Sequence, residues 1–144
     1  MAKQKTKGSS WERTVAKYLT EKYGKTFTRS AHSGAYTGGR NAWRKSVIPS
    51  AMTAATTGDI TCPDGFDIGI ECKNYADLPF HQIISGSCPV LDQWIQQTLD
   101  TGRPSVLLFV KITRKGEWVM GPNIVSCVNY KDWGIISVED WLNN

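Results

Sequence analysis

Apolar residues recur at helical spacing near the start of the chain, and the stripe that they form consists of Trp11, Val15, Tyr18 and Leu19. Ser9 suits the N-cap in front of this stripe, and Gly24 suits the position at which a helix ends. The pattern therefore predicts a helix from about residue 10 to residue 23, followed by a short strand at 25–29. The polar residues 1–8 in front of it are predicted to be a flexible basic arm.

A different pattern covers residues 58–73, where apolar and polar side chains alternate on both sides of a Pro-Asp-Gly tripeptide at 63–65. This tripeptide is typical of a three-residue turn between paired strands, so a β-hairpin is predicted. Side chains of a strand alternate between its two faces. In the register that the turn sets, one face of the hairpin is apolar. The side chains on the other face are Asp59, Glu71 and Lys73.

Shorter patterns predict the remaining elements, which are helices at 79–85, 90–101 and 138–142 and strands at 104–112, 117–120 and 124–128. This order of elements predicts an α/β fold in which a mixed β-sheet is flanked by helices. The 28 residues 30–57 are rich in Ser, Gly, Ala and Thr and show no period. Because such connections are uncommon inside a compact domain, they are predicted to be a long inserted loop within one domain, 9–144.

The charges of the chain are divided unevenly. Residues 1–45 carry 11 Lys and Arg against 2 Asp and Glu, whereas residues 46–144 carry 6 against 11. A basic segment joined to an acidic remainder is typical of a protein that grips a polyanion with one part and uses carboxylates in the other. A lysine-rich, solvated surface explains the same distribution equally well, so charge alone leaves both interpretations open.

Composition restricts the class of protein. The chain has 144 residues, 40% of them hydrophobic and 21% charged, as expected for one folded domain. No run approaches the roughly 20 apolar residues of a membrane span, and no apolar run follows the basic start as in a secretory signal. The four cysteines lack zinc-site spacing. We therefore expect an intracellular protein with no membrane partner, in the cytoplasm or at the nucleoid, or in a host cytoplasm if the source is viral.

The three polar residues of the predicted hairpin have a joint chemical use. Two neighbouring carboxylates such as Asp59 and Glu71 repel each other unless a cation neutralises them, and hard oxygen ligands suit Mg²⁺, with Mn²⁺ as a substitute. A bound metal polarises a phosphodiester and lowers the pKa of its water. Lys73 can hold or help deprotonate this water or stabilise developing charge, and the backbone carbonyl of Cys72 is a further candidate ligand. An ordinary ion pair between Asp59 and Lys73, with Glu71 in solvent, is the alternative.

Glu12 has two interpretations. It occupies the third helical position after Ser9, so the two residues form a capping box. It also lies beside the apolar stripe of the same helix. A helix packed on the sheet could bring this carboxylate to the metal, either directly or through a water molecule.

Several short motifs follow one another along the chain. They are Lys7-Gly8-Ser9-Ser10, Glu12-Arg13, Arg29 with Ser33-Gly34, Gly58-Asp59-Ile60, Ile70-Glu71-Cys72-Lys73 and Gln93. In these motifs the chain resembles the archaeal-type Holliday junction resolvases of the PD-(D/E)XK nuclease superfamily. The resemblance implies a restriction-endonuclease-like fold and a homodimer that makes paired nicks in four-way DNA junctions with Mg²⁺. It also implies that Glu12, Asp59 and Glu71 are ligands of the metal or its water and that Lys73 is the catalytic lysine.

The basic segment and the resemblance together give a set of candidate DNA contacts. They are Lys5, Lys7, Ser9, Arg13, Arg29, Ser33, Arg40, Arg44, Lys45 and Gln93. Two other functions stay open beside junction resolution. One is a nicking or restriction-like endonuclease on duplex DNA, which shares the site without the preference for branches. The other is a DNA-binding module of the same fold that has no catalytic activity.

Overall fold

The computed structural model describes residues 2–30 and 58–144, with side chains from Ser9 onwards within these ranges. Most of the predicted inserted loop at 30–57 therefore lies outside the described residues. The candidate DNA contacts that also fall outside them are Ser33, Arg40, Arg44 and Lys45. Two further candidates, Lys5 and Lys7, lie where only the backbone is described.

Helices and strands alternate along the described ranges. The helices are α1 (Ala2–Tyr23), α2 (Phe80–Ser85), α3 (Pro89–Leu99) and α4 (Val138–Asn143). The strands are β1 (Thr28–Arg29), β2 (Ile60–Thr61), β3 (Ile68–Tyr75), β4 (Ser105–Ile112), β5 (Gly116–Gly121), β6 (Val128–Tyr130) and β7 (Trp133–Ser137). Within these ranges, no helix combines the length and the apolar character that crossing a membrane requires.

Five of the strands form one mixed sheet in the order β3-β4-β5-β7-β6. β3 and β4 are parallel along their whole lengths, because α2 and α3 carry the chain back between them. The other neighbouring strands are antiparallel. β3 is therefore an edge strand of this sheet, and one row of its backbone groups faces away from β4.

Helices cover both faces of the sheet. On one face, α1 and α4 bury Trp11, Val15, Leu19, Val138 and Trp141. On the other face, α2 and α3 bury Ile83, Leu91 and Trp94. Phe109 and Leu108, which are neighbours in β4, belong to the first and the second core respectively, as strand alternation requires. The predicted α/β class, a mixed sheet flanked by helices, is confirmed.

The first helix is longer than its pattern predicts. α1 begins at Ala2, so Ser9 lies within the helix and is not its N-cap, and the predicted capping box with Glu12 is wrong. Ala, Lys and Gln in the preceding residues are good helix formers, which allows the helix to continue past the serine. Residues 2–8, which were predicted to belong to a basic arm, therefore form the first part of α1.

The predicted hairpin at 58–73 is wrong in its pairing. β2 pairs with β1 in a separate antiparallel sheet, and β3 pairs with β4. The turn itself is present, since the Phe66 N–H donates to the Pro63 carbonyl over 3.2 Å and Gly65 has a φ of 92°. β4 offers β3 a partner along its whole length, whereas β2 has only two residues to pair.

The C-terminal half follows the predicted elements except in one region. The predicted helices correspond to α2, α3 and α4, and the predicted strands at 104–112 and 117–120 correspond to β4 and β5. The predicted strand at 124–128 is wrong, because pairing starts only at Val128, the first residue of β6. β7 is a strand that the sequence pattern did not predict.

Candidate active site

Asp59 lies against the open edge of β3. Its N–H donates to the Ile70 carbonyl over 2.8 Å, and its carboxylate atom Oδ2 accepts the Cys72 N–H over 2.8 Å. Both partners belong to the row of β3 backbone groups that faces away from β4. Asp59 therefore pairs with an edge that is otherwise open, and these two bonds fix the position of its carboxylate.

A second strand holds Asp59 from the opposite side. The Ser30 N–H donates to the Asp59 carbonyl over 2.9 Å, and Arg29 pairs with Ile60 in the small β1–β2 sheet. Ser30 is buried, and its hydroxyl lies 3.1 Å from that of Thr61. The sequence analysis did not identify Ser30, because its only signal is its position directly after a predicted strand.

Gly58 allows the close approach of this segment to β3. It has a φ of +89°, which L side chains rarely adopt, and an added Cβ would lie 3.0 Å from the Ile70 carbonyl oxygen. A side chain here would push the backbone away from β3. Gly58 is therefore the residue that lets Asp59 reach the edge.

Glu71 brings a second carboxyl group to the same place. The side chain is 5% exposed, and Asp59 is 9% exposed. Burial raises the pKa of Glu71 to about 9, with further increases from the charge of Asp59, a side-chain hydrogen bond to it and the charge of Glu12, against the opposing effect of Lys73. The structure thus brings the two predicted carboxyl groups together. Their charges are compatible only when a proton or another cation lies between them.

The arrangement arises differently from the predicted one. Along β3, Ile70 and Cys72 face α1, so Glu71 and Lys73 lie on the opposite face of the strand. Asp59 comes from outside the edge and not from a paired strand of a hairpin. The alternative of an ion pair between Asp59 and Lys73 is also wrong, since Glu71 is buried and these two described residues form no ion pair.

Glu12 approaches the pair from α1. Its Oε2 atom accepts a hydrogen bond from the Arg29 Nε over 3.0 Å, with 13% of the Glu12 side chain and 33% of the Arg29 side chain exposed. Its negative charge contributes to the raised pKa of Glu71, so it lies within electrostatic reach of that acid. In the described parts of the chain, no three His, Cys, Asp or Glu side chains form a metal-binding group. One carboxylate oxygen of Glu12 is engaged by Arg29, which suits an outer position at the site.

The backbone carbonyl of Cys72 faces the same edge. The N–H and C=O of one strand residue point in the same direction, and the Cys72 N–H is bonded to Asp59. The Cys72 side chain is half-buried and packs against the core beneath α1, and desolvation raises the pKa of its thiol well above the ordinary value. Two carboxylates and one carbonyl are hard oxygen donors, and this set fits Mg²⁺ or Mn²⁺.

The candidate DNA contacts are spread over the described structure. Arg13 is exposed on α1, and Ser9 is half-buried on the same helix. Gln93 is exposed on α3. Arg29 is the member of this set that the structure connects to the site, through its bond to Glu12.

The sequence matches the model of one known protein family. The family described as "Phage putative PDDEXK endonuclease" has a sequence model that matches residues 3–139. The chain belongs to this family. Membership in the phage PDDEXK endonuclease family confirms the predicted PD-(D/E)XK nuclease superfamily and its restriction-endonuclease-like fold, and it supports nuclease activity.

The family match identifies a broader group of proteins than the resemblance in the motifs implies. It supports the superfamily and does not identify an archaeal-type Holliday junction resolvase. PD-(D/E)XK nucleases generally use divalent metals such as Mg²⁺. Searches of curated proteins and of solved structures found no match to the chain.

Proposed function

We propose that the chain is a divalent-metal-dependent DNA endonuclease and that its active site consists of Asp59, Glu71, Lys73 and the Cys72 carbonyl. The observation that carries this proposal is the pair of buried carboxyl groups at the open edge of β3. A buried acid whose pKa is raised to about 9 beside a second acid is typical of a functional site. A divalent cation bound between the two carboxylates would replace the proton that they share.

Each residue has a distinct part in the proposed reaction. Asp59 and Glu71 would hold Mg²⁺ or Mn²⁺ together with the Cys72 carbonyl. Such an ion would supply Lewis-acid chemistry, which polarises a phosphodiester and lowers the pKa of a water. Lys73 follows Glu71 by two residues on the same face of β3, where its ammonium can stabilise the charge that develops on the phosphate. Glu12 lies at the outer position and can accept a hydrogen bond from a water molecule.

The proposed substrate is a four-way DNA junction, cut by paired nicks. This part rests on the motifs that resemble the archaeal-type resolvases. A homodimer would place two such sites at a fixed distance, as paired nicks require. The contacts with phosphates would come from the basic and polar candidates named from the sequence other than Arg29, whose Nε atom is bonded to Glu12. A nicking or restriction-like endonuclease on linear duplex fits the same site equally well.

The test compares three DNA substrates of matched sequence: a synthetic four-way junction, a linear duplex and a single strand. In Mg²⁺ or Mn²⁺, the junction should receive symmetric nicks while the duplex stays intact, and light scattering should give the mass of a dimer. Equal cutting of junction and duplex would identify the nicking or restriction-like enzyme instead. Tight binding without any cutting would overturn the proposed catalysis in favour of a DNA-binding module.

A matched pair of variants connects the activity to the site. Asp59→Ala should lower the cutting rate by at least roughly 10³-fold, because the metal loses a ligand that the backbone of β3 holds in place. Asp64→Ala removes an exposed aspartate from the nearby turn and should leave the rate unchanged. DNA affinity in EDTA should stay the same in both variants, since positively charged side chains make the phosphate contacts. Persistent cutting by Asp59→Ala would exclude the proposed site.

A further inference from the structure

The Arg29 side chain is half-buried and bonded to another side chain of the same protein. Its Nε atom donates to Glu12 Oε2 over 3.0 Å, and two thirds of its side chain are buried. The sequence resemblance implied that Arg29 contacts DNA or the active site. The Nε atom, which carries one of the five N–H donors of the guanidinium, is bonded to a carboxylate of the same chain, and this bond fixes the plane of the group.

The backbone fixes Arg29 relative to Asp59. Arg29 pairs with Ile60, the residue after Asp59, and the next residue, Ser30, donates its N–H to the Asp59 carbonyl over 2.9 Å. The small β1–β2 sheet is therefore continuous with the backbone of the proposed metal ligand. Any movement of Asp59 along the β3 edge would move Arg29 with it.

Glu12 is fixed from the other side by the core. The preceding residue, Trp11, is 2% exposed, and its indole Nε1 donates to the Phe109 carbonyl of β4 over 3.3 Å. Val15, one turn further along α1, is fully buried in the same core. The Glu12 backbone is thus held by α1, and the bond from Arg29 Nε contributes to the direction of its carboxylate.

A carboxylate in this position needs a restraint. The charge of Glu12 acts on Glu71, and like charges in partly buried surroundings repel each other. A cation at the Oε2 atom of Glu12 offsets this repulsion. The planar guanidinium of Arg29 provides both the opposite charge and a directional hydrogen bond.

We propose that Arg29 is a positioning residue for the nuclease site: it orients the Glu12 carboxylate towards the Asp59–Glu71 pair and is not a DNA contact. This inference rests on the proposed function, because the oriented carboxylate is the one that accepts a hydrogen bond from the metal-bound water. In this proposal, the β1–β2 sheet aligns Arg29 with Asp59, the proposed metal ligand.

A double-mutant cycle tests this relationship. The variants are Arg29→Met, Glu12→Ala and the combination of both, and Lys25→Met is the matched control, since it removes an exposed cation just before β1. Arg29→Met and Glu12→Ala should each lower the cutting rate at saturating Mg²⁺ by about 10- to 100-fold, as loss of an outer-shell partner does. The combination should be no slower than Glu12→Ala within about twofold, because a residue that acts through Glu12 has no effect without it. Lys25→Met should cut like the wild type.

DNA binding in EDTA separates positioning from direct contact. Arg29→Met should bind the intact DNA that the wild type cuts as tightly as Lys25→Met does, and the two affinities should depend equally on salt. A phosphate contact would instead weaken binding and reduce the slope of log K against log salt by about 1. That result, or rate losses that multiply in the combined variant, would overturn the proposal. Thermal unfolding of all variants identifies any that lose the fold, and Arg29→Lys then replaces Arg29→Met in the cycle.

Failure of this inference is distinguishable from failure of the proposed function. If the wild type cuts no DNA, the proposed activity is wrong. The same double-mutant cycle is then measured through Mn²⁺ affinity, by calorimetric titration. The effect of Arg29→Met on Mn²⁺ affinity should disappear when Glu12 is already alanine. An effect of equal size in both backgrounds, or a wild type that binds no Mn²⁺, would contradict the positioning role.

Discussion

Two clusters of polar side chains lie at opposite edges of the same sheet. At the β3 edge, Asp59 and Glu71 are buried together. At the β6 edge, the Tyr130 hydroxyl donates to Asp92 Oδ1 over 2.7 Å and accepts the Cys88 N–H over 2.9 Å, and the Lys131 ammonium lies 2.9 Å from the same carboxylate atom. The single carboxylate of the second cluster, Asp92, is matched by two side-chain donors, whereas the first cluster brings two carboxyl groups together and gives Asp59 one backbone donor, the Cys72 N–H.

The pKa directions express this difference. Hydrogen bonds from Tyr130 and Lys131 hold the pKa of Asp92 below its usual range, so ionisation of Asp92 supports the folded state. Burial and the charge of Asp59 raise the pKa of Glu71 to about 9, so ionisation of Glu71 opposes the folded state. The β6 cluster ties the start of α3 to the sheet. The β3 cluster keeps an unfavourable charge arrangement that a bound cation would relieve, which is a property of functional sites.

Replacing Glu71 should produce the largest difference between the two edges. Glu71→Gln keeps the shape of the side chain but removes a charged metal ligand, so the cutting rate should fall by at least roughly 10³-fold. Tyr130→Phe, the matched change at the β6 edge, should cut DNA at the wild-type rate. Rates measured under single-turnover conditions with saturating Mg²⁺ check both variants. Comparable losses in the two variants would show that the edges do not differ in function.

The second-largest difference between the β3 edge and the β6 edge should be in how stability depends on pH. Glu71 has an ordinary pKa of 4.5 and a folded-state pKa of about 9, so between these values the folded state holds a proton that the unfolded chain has released. The free energy of unfolding of the metal-free protein should therefore decrease as the pH rises from about 4.5 to 9. Glu71→Gln should flatten this decrease and be more stable than the wild type at pH 8.

Urea unfolding in EDTA at several pH values measures this effect. Adding Mg²⁺ at pH 8 should stabilise the wild type, because the ion binds only the folded state, and should leave Glu71→Gln nearly unchanged. A wild type whose stability rises with pH throughout this range would contradict the assigned state of Glu71.

Removing the Tyr130 hydroxyl should give the smallest of these effects. Tyr130→Phe leaves the buried Cys88 N–H and the Asp92 carboxylate without their hydroxyl partner, which typically costs about 1–3 kcal/mol of unfolding free energy. The same urea experiment at pH 7 detects it. A variant as stable as the wild type would mean that the β6 cluster does not support the fold.

The sequence predicted that Asp59 and Glu71 lie close together but did not predict the strand pairing that brings them there. Glu71 and Lys73 follow from strand alternation, a local property, and that part of the prediction holds in β3. The pairing of Asp59 does not follow, because its partner Ile70 lies in β3, whereas its partner Ser30 follows β1 and is distant in sequence. Turn chemistry at 63–65 is local too, and it indicated a turn correctly without indicating which strands pair.

Other elements differ from the prediction for similar reasons. α1 extends to Ala2 because helix propensity in the first residues outweighs the capping signal at Ser9. β7 escapes prediction because its strand character depends on β5 and β6 on either side and on Gly134, where an added Cβ would lie 2.0 Å from the Ile124 carbonyl oxygen. The bond between Arg29 and Glu12 joins two elements that only the fold brings together.

Crystals grown with Mn²⁺ provide the most direct test of the central claim, that the β3 edge holds a divalent metal. Anomalous diffraction should show one or more Mn²⁺ peaks within ligand distance, about 2.0–2.6 Å, of the Asp59 and Glu71 carboxylates and the Cys72 carbonyl. Crystals of Glu71→Gln grown in the same way should lack this density. A Mn²⁺ peak elsewhere in an enzyme that cuts DNA, with both carboxyl groups still bonded to each other, would contradict the account.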